Sequence, residues 1–290
     1  RSTDQRGFPI VGAPDLGAFE VQGSTVTLTS SANPSASGTS VTFTATVNEL
    51  DPQAITPTGS VIFTVDGTPG SPVVLNASGS ATLTTSALTA GTRTITATYD
   101  GDARLLPSTS RTLNQTVLDL TVGNGNDSGN GSLRQALANA AAHPGPDTIK
   151  LPIGLHGQTL TLLTQLLIND AGGVTIDASG LSNGFTISGG GNVRLFTVAT
   201  GSTVILKNLT LINGAGVGGS LNGAGGAIYN NAGATLSLDG CTLSGHSTNV
   251  GGAIWNNGGV LALTRCAFTG NAATDKGGAV NSTGGLTAQG

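Results

Sequence analysis

The sequence contains little charge, few aromatic residues and no long apolar run. Charged residues make up 9% of the 290-residue chain, aromatic residues make up 3%, and the formal net charge is −4. The chain has no basic stripe to bind nucleic acid and no apolar run of about 18 residues to insert into a membrane. Methionine is also absent, so we expect a processed product or an excerpt of a longer protein.

Glycine is abundant instead, with 46 residues in the chain. Such a composition is typical of short strands joined by tight turns. Between residues 24 and 117, about seven short runs alternate apolar residues with Thr or Ser, and turn signals such as Asp66-Gly67 separate them. The alternation predicts a β-sandwich over residues 23–118.

Several phrases of this segment resemble the bacterial Ig-like repeats of large surface proteins. They are residues 26–30, 40–47, 57–63 and 90–99, together with Gly101-Asp102. The resemblance covers essentially the whole segment. It implies a spacer or adhesive module, extracellular or at the cell surface, with no catalytic role.

The sequence predicts one helix. Ser132 and Gln135 have the spacing of a capping box, and an Ala- and Leu-rich stretch follows them to residue 142. His143-Pro144-Gly145 then ends the helix.

A short phrase recurs near the C-terminus. Gly-Gly-Ala begins at Gly225 and Gly251, and Gly277 begins a third copy, each 26 residues after the last. A fixed period of this size predicts a solenoid in which each repeat is one coil stacked on the next.

Residues 119–290 resemble the right-handed parallel β-helix domains of bacterial surface proteins. The likeness rests on the opening phrase, residues 126–136 followed by 144–149, and in that family the helix caps the first coil. Residues 3–20 resemble the phrase that closes such β-helices. We therefore expect an all-β protein in three parts: a closing segment (1–22, serving this or a neighbouring subunit), an Ig-like β-sandwich (23–118), and a right-handed parallel β-helix with one short N-terminal capping helix (119–290), open at its C-terminal end.

Aligning the last coils places apolar residues in inward columns, such as Leu206, Leu238 and Leu263, and places Cys241 beside Cys266. Cα atoms one strand spacing apart, about 4.8 Å, lie within the range of a disulfide. Two interpretations therefore stand: a disulfide, or a ladder of buried thiols that pack as small hydrophobic groups. No His joins the pair, so we predict no metal site.

The same alignment places Tyr229 next to Trp255. Exposed rings in a column would bind sugar rings or a partner subunit. The alternative is that the rings pack beneath the glycine-rich loop formed by residues 214–223. Side-chain amides also align in two columns, which predicts hydrogen bonds along each: Asn230 with Asn256, and Asn231 with Asn257.

The coils present no carboxylate pair of the kind that cleaves polysaccharides. Lys207 and Asp239 share an outward column with Arg265 one step away, which predicts a surface ion pair. The histidines are isolated in sequence and are interpreted as surface or loop residues: His143, His156 and His246. We predict no enzyme and no cofactor.

The sequence predicts a structural subunit or repeat unit of a bacterial extracellular fibre or surface protein. Copies would assemble head to tail, with residues 1–22 of one copy completing the open β-helix of the next. The residues expected at this contact are apolar: Phe8, Ile10, Leu16, Phe19, Val280 and Leu286.

Two alternatives accompany this prediction. The chain could be an excerpt of a giant adhesin whose units are covalently linked. It could also be a β-helix that binds or degrades carbohydrate, and surface glycans would then be its partners.

Overall fold

A computed structural model describes residues 21–50, 56–216 and 223–290 of the chain. The chain divides into two compact units, Arg1–Leu118 and Asp119–Gly290. Strands account for 49% of the structure and helix for 5%, which confirms the prediction of an all-β protein.

The first unit is a β-sandwich of two sheets. One sheet has the strand order β1-β3-β6, and the other has the order β2-β9-β7-β4-β5, with β8 paired to β7. The strands described in this unit are, in chain order, β1 (Ser24–Ser30), β2 (Ser35–Ala36), β3 (Val41–Glu49), β4 (Ser60–Val65), β5 (Thr68–Val74), β6 (Ser80–Thr85), β7 (Gly91–Tyr99), β8 (Ser108–Thr109) and β9 (Leu113–Leu118).

The alternation of apolar and hydroxyl residues fills the space between the sheets. In β3, Val41, Phe43, Ala45 and Val47 are buried, while the Thr residues between them are half-buried. Successive side chains of a strand point to opposite faces, so one face forms the core and the other meets solvent. The predicted Ig-like sandwich is therefore confirmed.

The second unit is a parallel β-helix that begins with the helix α1 (Leu133–Ala142) and a 3-10 turn at Ile153–Leu155. Three sheets run along it. Sheet A contains β10 (Asp147–Lys150), β13 (Val174–Asp177), β16 (Thr203–Lys207), β19 (Thr235–Asp239), β23 (Val260–Thr264) and β27 (Gly285–Gln289). Sheet B contains β11 (Thr159–Thr161), β14 (Phe185–Ser188), β17 (Leu209–Ile212), β20 (Thr242–Ser244) and β24 (Ala267–Thr269). Sheet C contains β12 (Leu166–Ile168), β15 (Phe196–Val198), β18 (Ile228–Asn230), β22 (Ile254–Asn256) and β26 (Val280–Ser282). A further pair joins β21 (Ser247–Val250) to β25 (Ala272–Lys276).

The coils stack in register, and this confirms the predicted inward columns. Val204 pairs with Leu236, and Leu236 pairs with Leu261. All three side chains have no exposed surface. Burying each such side chain contributes about 1.5–3 kcal/mol, so the columns stabilise the stacking of the coils.

The helix covers the first coil. The Ser132 side chain accepts a hydrogen bond from the Gln135 backbone N–H at 3.1 Å, but the Gln135 side chain donates to Asn139 Oδ1 instead of returning to Ser132. Only half of the predicted capping box is therefore formed. The helix packs against β10 and β12, the first strands of sheets A and C.

The turn from sheet A to sheet B requires a residue in the left-handed region. Asn208, Gly240 and Arg265 occupy equivalent positions there, with φ values of 53°, 64° and 49°. A Cβ at Gly240 would also collide with Asn208 Oδ1. Glycine and asparagine adopt this conformation readily, whereas Arg265 adopts it at a cost.

Candidate functional site

The last coil presents a strand edge and an apolar side chain to solvent. Leu286 pairs with Leu261 and continues the column of Leu236. Leu286 is 46% exposed, whereas Leu236 and Leu261 are fully buried. The predicted contact residue Val280, in β26, is half-buried. A column residue is fully buried only when a coil packs on each side of it, so this coil is a surface on which another could stack.

The backbone of this coil also presents an edge with which a further strand could pair. In the part of the chain that the structure describes, β24, β26 and β27 each pair with one neighbour in their sheet. Each therefore presents a row of N–H and C=O groups to one side. The other predicted contact residues lie outside the described residues: Phe8, Ile10, Leu16 and Phe19.

Tyr229 and Trp255 are neighbours, as the alignment predicted, but they do not form an exposed stack. Their ring centroids lie 5.3 Å apart at an interplanar angle of 65°, which is an edge-to-face contact. Tyr229 is only 3% exposed, and its hydroxyl accepts a hydrogen bond from Asn257 Nδ2 at 2.7 Å. The prediction of an exposed sugar-binding column is therefore wrong for Tyr229, because neighbouring groups cover the ring.

One of these groups is Arg194, which the sequence reasoning missed. The side chain is fully buried, and its Nη2 donates to the Ala224 carbonyl at 2.8 Å, while its Nε donates to the Gly225 carbonyl at 3.1 Å. Its guanidinium carbon lies 5.3 Å from the centre of the Tyr229 ring. Burial lowers the pKa of Arg194 to about 10, which still leaves it charged at neutral pH.

Arg194 therefore holds the end of the glycine-rich loop against sheet C. Residues 217–222 of that loop lie outside the described residues. Arg194 lies in a coil that has no copy of the repeated Gly-Gly-Ala phrase, so the sequence pattern gave no signal of this role. A charged side chain is buried here because loop carbonyls from the next coil accept its hydrogen bonds.

Cys241 and Cys266 are free thiols, so of the two interpretations the structure contains the thiol ladder. Cys241 is buried and Cys266 is half-buried. Cys241 Sγ lies 3.4 Å from the Leu206 carbonyl oxygen, and Cys266 Sγ lies 3.5 Å from the Leu238 carbonyl oxygen. The neighbouring Cys266 thiol and burial raise the pKa of Cys241, and the neighbouring Cys241 thiol lowers the pKa of Cys266.

One of the two predicted amide columns is confirmed. Asn230 Nδ2 donates to Asn256 Oδ1 at 2.8 Å, and Asn256 Nδ2 continues to Ser282 Oγ at 2.9 Å. Asn231 and Asn257 do not follow this pattern, because their amides donate to the Val198 carbonyl and the Tyr229 hydroxyl.

The prediction of an ion pair between Lys207 and Asp239 is wrong, because each of the two residues pairs with a different partner. The two residues are in register, but Lys207 pairs with Asp177 of the preceding coil at 3.9 Å. Asp239 instead pairs with Arg265 of the following coil. Lys207 and Arg265 thus each pair with an acid of the preceding coil, although Arg265 lies one position beyond the column that Asp177, Lys207 and Asp239 share.

His246 is not a surface histidine. The ring is fully buried, its Nδ1 accepts the Gly214 backbone N–H at 2.8 Å, and its Nε2 lies 3.0 Å from the Leu211 carbonyl oxygen. Burial lowers the pKa of His246 to about 4. The neutral ring therefore satisfies both backbone groups and anchors the start of the glycine-rich loop.

Comparison with known proteins identifies the first unit. Residues 28–118 match the family model of the bacterial Ig-like domain, group 3. Searches of curated proteins and of solved structures returned no match. No helix among the described residues is long and apolar enough to cross a membrane. A bacterial Ig-like domain joined to a β-solenoid fits a surface protein.

Proposed function

We propose that the chain is a non-enzymatic structural unit of a bacterial extracellular fibre or surface protein, and that its partners are further copies of itself. The observation that carries the proposal is the combination of a bacterial Ig-like domain with a β-helix whose coils stack in register. The Ig-like domain supports the surface location, since domains of this class occur in bacterial surface proteins.

A further coil stacked on the last one would stabilise it in two ways. It would remove the remaining exposed surface of Leu286 from water, which contributes about 1–2 kcal/mol. It would also accept and donate the edge hydrogen bonds of β24, β26 and β27, each with a net contribution of about 1 kcal/mol. Together these terms favour strand addition at this edge.

In the proposed assembly, residues 1–22 of the next copy supply that coil. The apolar residues of this segment that we assign to the column ends are Phe8, Ile10, Leu16 and Phe19. The contact joins two different surfaces of the same chain. Head-to-tail contacts of this kind do not close on themselves in general, and they generate fibres.

Electron microscopy of the purified chain, beside a version that lacks residues 1–20, tests this proposal. The cut preserves Gln22, whose backbone N–H donates to the Arg104 carbonyl at 2.8 Å and belongs to the sandwich. We expect filaments from the whole chain and separate particles from the shortened one. Filaments from both versions would show that residues 1–20 are not the joining segment.

Separate particles from both versions would favour the covalent alternative, in which the stacked coil belongs to the same polypeptide. The mass of the intact native protein then decides, since a covalent array would be several times heavier than 28.4 kDa. The carbohydrate-binding alternative needs an exposed aromatic column. The burial of Tyr229 removes one of its two rings, so we do not propose it.

A further inference from the structure

We propose that Cys241 and Cys266 form a reactive dithiol that low-molecular-weight disulfides oxidise to a disulfide bond between neighbouring coils, with Cys266 reacting first. The inference concerns two coils of one chain. It applies to the unassembled chain and does not require that assembly occurs, since a coil stacked on β24 would cover Cys266, the residue just before that strand.

The register of sheet B brings the two cysteines together. Thr242 pairs with Ala267, so the residues just before them, Cys241 and Cys266, occupy equivalent positions in adjacent coils. In-register strands lie about 4.8 Å apart, which is within the Cα separation that disulfides span. No large backbone movement is needed to join the sulfur atoms.

Both side chains also have the same orientation. Each sulfur lies near a carbonyl oxygen of the preceding coil, Cys241 at 3.4 Å from Leu206 and Cys266 at 3.5 Å from Leu238. The thiols therefore form a column in which the Cys266 sulfur reaches toward the coil that holds Cys241.

The surroundings assign different roles to the two thiols. Cys241 is 1% exposed and so is inaccessible to a reagent, whereas Cys266 is half-buried and open to solvent. The neighbouring Cys241 thiol also lowers the pKa of Cys266, which favours its thiolate. The thiolate is the nucleophile in disulfide exchange.

The reaction balances in two exchange steps. The Cys266 thiolate attacks one sulfur of the reagent disulfide, forms a mixed disulfide and releases one reagent thiolate. Cys241 then loses its proton to solvent and attacks the Cys266 sulfur, which releases the second reagent thiolate. The two protein thiols are oxidised and the reagent disulfide is reduced to two thiols. Since the chain contains two cysteines, this is the single disulfide it can form internally.

Intact-mass spectrometry of the monomeric chain, treated with hydroxyethyl disulfide at pH 7, tests the proposal. We expect a transient adduct at one cysteine, followed by a product about 2 Da lighter than the starting chain, as two hydrogens are lost. The Cys241→Ser variant should stop at the adduct, and the Cys266→Ser variant should react at least tenfold more slowly. A wild-type chain that stays unmodified, stops at the adduct or forms dimers would overturn the proposal.

A second measurement on the unmutated chain guards against variants that fail to fold. The rate of iodoacetamide alkylation, mapped by peptide mass, should be faster at Cys266 than at Cys241, because Cys266 is the more exposed thiol. Equal rates at the two cysteines, or a faster rate at Cys241, would contradict the assigned roles.

Discussion

At the scale of single residues, Asp102 joins two turns of the Ig-like sandwich. Its Oδ2 accepts the Thr58 backbone N–H at 2.9 Å and the Thr58 hydroxyl at 2.7 Å. Its Oδ1 accepts the backbone N–H groups of Arg104 and Leu105 at 2.7 and 2.8 Å. One carboxylate thus satisfies donors from turns more than forty residues apart in sequence.

We predict that Asp102→Ala lowers the free energy of unfolding of the Ig-like unit by about 1–3 kcal/mol, because four hydrogen bonds to a charged acceptor are lost. Urea denaturation measures this. Asp100→Ala is the matched control, since Asp100 is exposed and makes one long contact of 3.4 Å with Ser60. Equal losses in the two variants would contradict the role assigned to Asp102.

The same carboxylate predicts a dependence on pH. Burial raises the pKa of Asp102, but the hydrogen bonds from Thr58 and from the Arg104 and Leu105 backbone outweigh it and lower the pKa to about 2. Because the folded pKa lies below the unfolded value of about 3.9, the contribution is complete above pH 4 and is lost as the pH falls to 2. The stability difference between the wild type and Asp102→Ala should therefore narrow from pH 5 to pH 2 in urea titrations. A constant difference would contradict this.

At the scale of elements, the corner between sheets A and B contains an unfavourable residue. Arg265 has a φ of 49° where the other coils have Asn208 and Gly240. The ion pair between Arg265 and Asp239 offsets part of the conformational cost of this residue. At an exposed site such a pair contributes at most about 1 kcal/mol. The left-handed conformation costs a residue with a Cβ about 1–2 kcal/mol.

We therefore predict that Arg265→Gly is more stable than Arg265→Ala by about 1 kcal/mol in thermal or urea unfolding. Both variants lose the ion pair, so the difference isolates the backbone term. Ala262→Gly, in the interior of β23, is the control. There, glycine should be less stable than alanine by about 0.5–1 kcal/mol. If the glycine variant is less stable than the alanine form at both positions, the corner does not require a residue in the left-handed conformation.

At the scale of the whole molecule, the proposed assembly depends on the last coil. We predict that Leu286→Asp abolishes filaments, because a charge at this position cannot be buried in the apolar column by a stacked coil. Leu167→Asp is the matched control, since Leu167 is 56% exposed in β12 of the first coil, away from the edge. Sedimentation velocity measures both. Equal loss of assembly in the two variants would place the contact elsewhere.

Much of the fold could be read from the sequence because its signals are local and repeated. The alternation of β3 places Phe43 inside through the period of a strand, whatever the partner strand is. The repeated phrases align Leu236 with Leu261 in the same way, and Ser132 caps its helix through a neighbour three residues away.

Other features depend on which groups the coils bring together. Arg194 is buried because carbonyls thirty residues later accept its hydrogen bonds, and Tyr229 is covered as a consequence. His246 is neutral because its ring is buried, and two backbone groups of the preceding coil satisfy its nitrogens. The sequence by itself therefore determined the sandwich, the coils and their columns, since periodicity needs only near neighbours. The tertiary structure alone decided which polar side chains are buried. Their burial depends on partner groups that the sequence repeat does not relate to them.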